Sequence, residues 1–148
     1  MDDHLTTDYD IDFIAWLDQQ VELLRSRKFE QLDTANLIAE LEYMSAKERN
    51  GLKHRMRILI AHLLKCQFQP SHMSGSWRGT IDTQRFEIES LLEDSPSLKR
   101  CMDGAIAYAY PKAVRLAALE TGLPRATFPA TNPYSQSQIF SPDFLPEA

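Results

Sequence analysis

The sequence predicts an all-α fold, a bundle of four to five main helices with a proline-rich C-terminal tail packed over it. Apolar residues recur every three or four positions through most of residues 1–122, and residues that favour helix ends separate these stretches. No segment alternates apolar and polar residues for long enough to predict a strand. Because the 148 residues contain no repeat or linker, we expect one domain, with the bundle in residues 1–122 and an extended tail in residues 123–148.

The first predicted helix follows an acidic N-terminal segment. We expect Asp8 or Asp10 to be its N-cap, with Asp12 near the positive end of the helix dipole. Apolar residues at helical spacing then run through residues 13–24, which predicts that the helix ends near Arg27.

The second and third helices are predicted on either side of a restart. Asp33 caps a short helix, and Ser45 with Glu48 three residues later forms a capping box, which predicts a bend or a restart there. The central helix covers residues 45–69 and ends before Pro70, because proline cannot continue the hydrogen-bond ladder. Its apolar residues form one broad arc, which predicts burial between neighbouring helices: Leu52, Met56, Leu59, Ile60, Leu63 and Leu64.

The fourth predicted helix begins at Ser74 or Ser76 and ends at Asp94. One stripe of it is apolar and comprises Trp77, Ile81, Ile88, Leu91 and Leu92. Gln84 lies within this stripe. Because burial of an amide without partners costs roughly 1 to 3 kcal/mol, we expect Gln84 to be hydrogen-bonded.

The last long helix has well-marked ends. Ser95 followed by Pro96 predicts its start, and Gly122 predicts its end. Pro111 falls in the middle and predicts a kink or a break. In the tail, five prolines rule out a long helix, so at most one short helical turn is expected, around residues 135–139.

Polar residues of the third and fourth helices are expected to meet. Residues 70–75 are a connection short enough to require an antiparallel hairpin, which places His62 and Gln69 near Thr80 and Gln84. The candidate polar cluster is therefore His62, Gln69, Thr80, Gln84 and Arg85. The cluster either satisfies its own hydrogen bonds and fixes the helix register, or it forms a small pocket. In such a pocket His62 donates or accepts a proton, and Arg78 or Arg85 near the rim binds an anionic group.

Familiar catalytic and metal-binding motifs are absent from the sequence. It contains no HExxH, GxxxxGK[ST] or GxSxG motif and no Glu-x-x-His motif of a di-iron bundle. His62 and Cys66 lie one helical turn apart, but a closed zinc site normally needs four ligands. We therefore expect no metal, no cofactor and no catalytic residue of a familiar kind.

Charge and cysteine usage limit the cellular setting and the partners. The net charge of −5 argues against a general nucleic-acid binder. Residues 1–45 hold eleven acidic and three basic residues, whereas residues 46–65 hold one acidic and six basic residues. Either the two segments neutralise each other, or the second is a basic helix with an anionic partner. Without a basic leader, a long apolar run or a CxxC pair, we expect a cytoplasmic protein with no membrane span.

Seven ordered segments carry a family resemblance. They are Tyr9-Asp10-x-Asp12-Phe13-x-x-Trp16-Leu17, Leu32-Asp33-x-x-Asn36-Leu37, His62-Leu63-Leu64-Lys65 with Gln69-Pro70, Ser76-Trp77-x-x-Thr80-Ile81-x-x-Gln84-Arg85, Ser95-Pro96-Ser97-Leu98, Glu120-Thr121-Gly122-Leu123 and Phe144-Leu145-Pro146. On these segments the chain resembles a bacterial family of all-helical proteins, domain of unknown function 29. The chain departs from the family pattern at Cys66 and Pro111. The resemblance implies a helical bundle in a bacterial cytoplasm and implies no activity.

Three classes of function follow from these observations. The first is a non-enzymatic cytoplasmic protein that acts through protein–protein interaction, by its tail or a bundle face, with self-association included. The alternative is a small-ligand or hydrolytic site around His62, Gln84 and Arg85. The third, nucleic-acid binding through Arg49, Lys53, Arg57 and their neighbours, predicts an affinity that falls steeply with added salt.

Overall fold

The computed structural model of the chain describes residues 9–148, which contain helices and turns but no strand. The α-helices are α1 (Phe13–Arg25), α2 (Thr34–Phe68), α3 (Gly75–Asp94), α4 (Met102–Thr121) and α5 (Gln136–Phe140). Short 3-10 helices cover Phe29–Gln31, Pro70–His72, Pro96–Cys101 and Arg125–Thr127. Residues 9–11 are also helical. The predicted all-α class is confirmed, with four long helices.

The chain divides into two compact units, residues 1–47 (unit 1) and residues 48–148 (unit 2). Within unit 1, the structure describes residues 9–47. A single domain over residues 1–148 stays a prediction, and the two units are described separately below.

Helix α1 begins and ends near the predicted positions. Its N-cap is Asp12, whose carboxylate accepts a hydrogen bond from the Ala15 amide at 3.0 Å. The prediction of Asp10 as N-cap was wrong, because Asp10 itself lies in the helical segment 9–11 and the backbone leaves helical geometry only at Asp12. The alternative, Asp8, lies outside the described residues. The helix ends two residues before Arg27, which adopts the left-handed conformation with φ +59°.

Helix α2 is one continuous helix, so the predicted restart at Ser45 was wrong. No proline falls between Thr34 and Phe68, and the residues that follow Ser45, Ala46 to Arg49, all favour helix apart from their capping pattern. A Ser-x-x-Glu pattern caps a helix only where the backbone before it leaves helical geometry. At the other end, the helix stops at Phe68 as the proline rule predicts.

The interior of unit 1 is built around Asp33, which precedes α2. The fully buried Trp16 donates its indole N–H to the Asp33 carboxylate at 3.0 Å. The Asn36 amide donates to the same carboxylate at 2.7 Å, and the buried Gln20 accepts the Asp33 main-chain N–H at 2.9 Å. Asp33 therefore links α1 to the start of α2 by both side-chain and main-chain bonds.

The core of unit 2 is formed by the C-terminal part of α2 together with α3, α4 and the tail. All six residues of the predicted apolar arc on the central helix are at most 1% exposed. The tail contributes Phe128, Tyr134 and Ile139 to the same core. The predicted short turn in the tail is helix α5, which Ser135 and Gln138 cap reciprocally.

Helix α4 continues through Pro111, so the alternative of a break was wrong. Proline removes the hydrogen bond to the Ala107 carbonyl, but Ala107 and Pro111 are both exposed, so water can satisfy this carbonyl. Gly122 ends α4 in the left-handed conformation, with φ +76°, as predicted. At the other end, the predicted start at Ser95 and Pro96 opens a 3-10 helix, and the Ser95 hydroxyl makes no capping bond.

Candidate functional site

Two of the five candidate polar residues bond within their own helix. The His62 ring nitrogen Nδ1 lies 2.9 Å from the Ile58 carbonyl oxygen, which can only accept, so Nδ1 carries a proton. The Thr80 hydroxyl donates to the Ser76 carbonyl at 3.0 Å. Burial lowers the pKa of the His62 imidazole below its usual value, which favours the neutral ring.

Two further candidates bond to residues outside the predicted cluster. The Gln69 side-chain amide donates to the carbonyl of Thr121 at the end of α4, at 3.3 Å. The Gln84 side-chain oxygen accepts from the Arg55 guanidinium at 3.4 Å, which meets the expectation that Gln84 is hydrogen-bonded. The same guanidinium lies 3.8 Å from the Glu87 carboxylate.

Arg85 joins α3 to the tail. It is 7% exposed, and its guanidinium donates to the carbonyls of Ile139 at 2.8 Å, Phe144 at 2.9 Å and Gln138 at 3.3 Å. Burial lowers the pKa of this guanidinium. These bonds use the Nε and Nη2 donors of the guanidinium, three of its five N–H groups.

Arg85 also lines a groove of about 760 Å³ on unit 2. Carboxylates of Asp82, Glu89 and Glu93 line it, with Lys99 as a further basic residue. This lining does not suit an anion. The hydrogen bonds of the five candidate residues thus run to separate groups, and their joint role as one site stays a prediction.

The most deeply buried ion pair of unit 2 was not predicted from the sequence. Lys65 is 5% exposed, and its ammonium lies 2.7 Å from the Glu120 carboxylate and 4.5 Å from the centre of the Trp77 ring. Lys112, which lies on α4 with Glu120, has its ammonium over the Tyr108 ring. The available signal is the position of Lys65 between the apolar residues Leu64 and Cys66.

Unit 1 exposes an unusual amount of apolar surface. Thirteen large apolar side chains are exposed in the described part of the chain, and ten of them lie between residues 11 and 44. The ten are Ile11, Phe13, Ile14, Val21, Leu24, Phe29, Ile38, Leu41, Tyr43 and Met44. Tyr9, Phe13 and Tyr43 also line a shallow hollow of about 450 Å³.

The described residues show neither a metal-ligand cluster nor a membrane-spanning helix. No group of three or more His, Cys, Asp or Glu side chains in residues 9–148 is arranged to hold a metal ion. No helix in the same range has the length and apolarity needed to cross a bilayer.

The sequence profile of a family described as domain of unknown function DUF29 matches residues 9–145. The chain belongs to the DUF29 family. No curated protein and no solved structure matches the chain. The DUF29 match confirms the resemblance seen in the sequence, and because the function of this family is unknown, a function for the chain has to be argued from its own surfaces.

Proposed function

We propose that this DUF29 protein is a non-enzymatic protein of the bacterial cytoplasm that acts by binding another protein through the exposed apolar residues of unit 1. The observation that carries the proposal is the concentration of exposed large apolar side chains in residues 11–44. Isolated exposed apolar residues are normal, but contiguous ones are typical of interaction sites. The family resemblance and the free thiols of Cys66 and Cys101 support the cytoplasmic setting.

The spacing of these residues on α1 supports a helix-binding surface. The inner seam of α1 is Phe13, Trp16, Gln20 and Leu23, and the outer seam is Ile14, Leu17, Val21 and Leu24. Each seam repeats at three, four and three residues, which is the spacing of helices that pack side by side. Trp16 and Gln20 of the inner seam are buried, whereas Ile14 is 65%, Val21 43% and Leu24 45% exposed. Three of the four residues of the outer seam thus stay exposed in the described part of the chain.

Helix α2 presents a similar stripe in unit 1. Leu37, Ile38, Leu41 and Met44 lie within about 120° of one another on a helical wheel. Ile38, Leu41 and Met44 are each at least half exposed. We call the outer seam of α1 and this stripe of α2 the apolar face of unit 1.

The charges beside the apolar face indicate the chemistry of the partner. Residues 9–47 hold eight acidic and four basic residues. On the helical wheel, Asp18, Glu22 and Arg25 flank the outer seam of α1. Glu42 flanks the stripe of α2, so three of these four charges are acidic. Two copies of this face would bring like charges together, whereas an apolar helix with flanking Lys or Arg residues would be complementary. The occupant we propose is such a helix of a different protein.

The alternative function, a small-ligand or hydrolytic site around His62, Gln84 and Arg85, has less support. The Arg85 guanidinium is held by three carbonyls, and Gln84 bonds to Arg55. Nδ1 of His62 bonds to the Ile58 carbonyl, so each of the three side chains already makes at least one hydrogen bond within the chain.

Site-specific photo-cross-linking in bacterial cells tests the proposal. A photoreactive residue at position 14 or 41 should form an adduct with a protein whose cross-linked segment is an apolar helix flanked by Lys or Arg. The control is position 119, because Leu119 is 79% exposed and lies outside the apolar face. Equal adducts at position 119, or none at 14 and 41, would contradict the proposal. An adduct of twice the mass of the chain would show that the occupant is a second copy and that the charge argument is wrong.

A further inference from the structure

We propose that unit 2 contains a binding site for a phosphate dianion, formed by basic residues of α2 and α4. The site is a pocket of about 270 Å³ lined by Asn50, Lys53, His54, Arg57, Tyr108 and Lys112, here called the basic pocket. Its lining contains three permanent cations and no carboxylate. The chain as a whole is acidic, with a net charge of −5, so this concentration of positive charge is local.

The sequence places these side chains on one side of each helix. Asn50, Lys53, His54 and Arg57 follow one another at three, one and three residues, which is a single face of α2. Tyr108 and Lys112 are one turn apart on α4. The two helices therefore direct their basic residues towards one another. Lysine side chains at a protein surface ordinarily extend into solvent, and these two lie at the same pocket instead.

Two ammonium groups converge on one aromatic ring. The Lys53 ammonium lies 4.6 Å and the Lys112 ammonium 3.8 Å from the centre of the Tyr108 ring. The ring attracts each cation, but it does not neutralise the repulsion between them. Within the described residues 9–148, neither lysine of the basic pocket is paired with a carboxylate, in contrast to Lys65, which pairs with Glu120.

Hydrogen-bond donors in the basic pocket lack acceptors. A guanidinium nitrogen of Arg57 lies 3.1 Å from Nδ1 of His54. Because guanidinium only donates, Nδ1 accepts, and in the neutral ring the proton is on Nε2, which remains a donor. The Arg57 Nε atom is buried and has no hydrogen-bond partner in the described part of the chain. A phosphate group supplies both the negative charge and the several acceptor oxygens that this set of donors lacks.

The size of the basic pocket limits the ligand. Sites for drug-sized ligands are about 300 to 1,000 Å³, so a pocket at the lower limit suits inorganic phosphate or a small phosphomonoester better than a dinucleotide cofactor. Inorganic phosphate and a phosphomonoester both present a tetrahedral dianion to the basic pocket. The experiment below distinguishes between these two ligands.

Isothermal titration calorimetry of the full chain tests the site with inorganic phosphate and with glycerol phosphate as separate probes. Saturable binding of either probe is expected, and the tighter one identifies the source. Lys53→Gln and Lys112→Gln should each weaken binding about tenfold or more, because each removes a charge-assisted hydrogen bond. Lys99→Gln is the matched control, since Lys99 is exposed, lies in unit 2 and does not line the basic pocket. It should leave the affinity unchanged.

Thermal melting of the same variants separates loss of binding from loss of folding. The lysine variants should melt at or above the wild-type temperature without ligand, because they relieve repulsion, and only the wild type and Lys99→Gln should gain stability from phosphate. No saturable binding by the wild type, or equal binding by Lys53→Gln and Lys112→Gln, would overturn the proposal. Binding of a single-stranded oligonucleotide without binding of either small probe would also overturn it, in favour of a nucleic-acid surface.

Discussion

At the scale of single residues, Arg85 shows how one side chain holds the C-terminal tail against α3. Its guanidinium is the common donor for three carbonyls that are 53 to 59 residues later in the chain. From the sequence, Arg85 is one of two arginines, with Arg78, that are candidates for the rim of an anion-binding pocket. Its actual partners could not be predicted, because no local pattern indicates which distant carbonyls will cover it.

Substitution of Arg85 should loosen the tail. Arg85→Leu leaves carbonyls of Gln138, Ile139 and Phe144 without a donor, and we expect the free energy of unfolding to fall by about 2 to 3 kcal/mol. Arg85→Lys should recover part of this loss, because a single ammonium cannot match the guanidinium fork. Urea unfolding measures the change, and faster proteolysis within residues 134–145 would locate it in the tail. A variant as stable as the wild type would show that the three bonds do not hold the tail.

His62 should make stability depend on pH in a defined direction. Its pKa is lowered in the folded state by burial, so the unfolded chain binds the proton more tightly. The folded state therefore loses stability as the pH falls below the ordinary histidine value of about 6.5, and this contribution is absent above it. Urea unfolding between pH 7.5 and about 5 should show a smaller loss for His62→Gln than for the wild type. Equal pH profiles would contradict the burial of a neutral ring.

At the scale of elements, two helices of the chain end with the same backbone conformation but different residues. Gly122 ends α4 with φ +76°, and Arg27 follows α1 with φ +59°. After α1, the Lys28 amide donates to the Leu23 carbonyl at 2.9 Å and the Arg27 amide to the Leu24 carbonyl at 3.1 Å, which is a Schellman motif. Glycine adopts this conformation freely, whereas a residue with a Cβ atom is strained in it.

These two ends predict opposite effects of exchanging glycine. Arg27→Gly should stabilise the chain by about 0.5 to 1 kcal/mol, and Gly122→Ala should destabilise it by about 1 kcal/mol. No neighbouring atom lies within 4 Å of a Cβ built on Gly122, so the backbone alone causes the second effect. Melting followed by circular dichroism checks both changes, with Arg27→Ala as the control that should bring no gain. The left-handed end of α1 would be in doubt if Arg27→Gly lowered the melting temperature.

Helix ends could be predicted from the sequence where a single residue, such as a proline, a glycine or a capping serine, determines the backbone locally. Pro70 and Gly122 end helices as the sequence predicts, and Ser74 caps α3 through a bond from the Trp77 amide. The prediction of a helix restart at Ser45 was wrong, because the helix continues from Thr34 to Phe68. The neighbours of Ser45 favour helix, and this propensity outweighs the capping pattern. The pair of Lys65 and Glu120 depends on how α2 and α4 face one another, which helical spacing within either helix does not specify.

At the scale of the whole molecule, the two units differ in how they use apolar residues. Unit 2 buries most of its large apolar side chains in one core and exposes Phe86, Tyr108 and Leu119. Unit 1 exposes ten such side chains over a much shorter length of chain. The proposed binding surface follows from this difference.

The apolar face could not be identified from the sequence. The apolar residues of α1 recur at helical spacing, and nothing in that spacing separates those that pack from those that stay exposed: Phe13, Ile14, Leu17, Val21 and Leu24. In the sequence, the two neighbouring seams form a single broad amphipathic face. In the structure, Trp16 and Gln20 of the inner seam are buried, which distinguishes that seam from the outer one. The sequence thus predicts which residues are apolar, and the structure shows which of them stay exposed among the described residues.

The measurement that tests the central claim most directly is the affinity of the cross-linked partner for the wild type, Leu41→Glu and Leu119→Glu. Both leucines are exposed, at 64% and 79%, so neither substitution should change the melting temperature much. We predict that Leu41→Glu weakens binding about tenfold or more, because it places a charge in the apolar face, and that Leu119→Glu leaves it unchanged. If the partner binds Leu41→Glu as tightly as the wild type, the apolar face of unit 1 is not the binding surface.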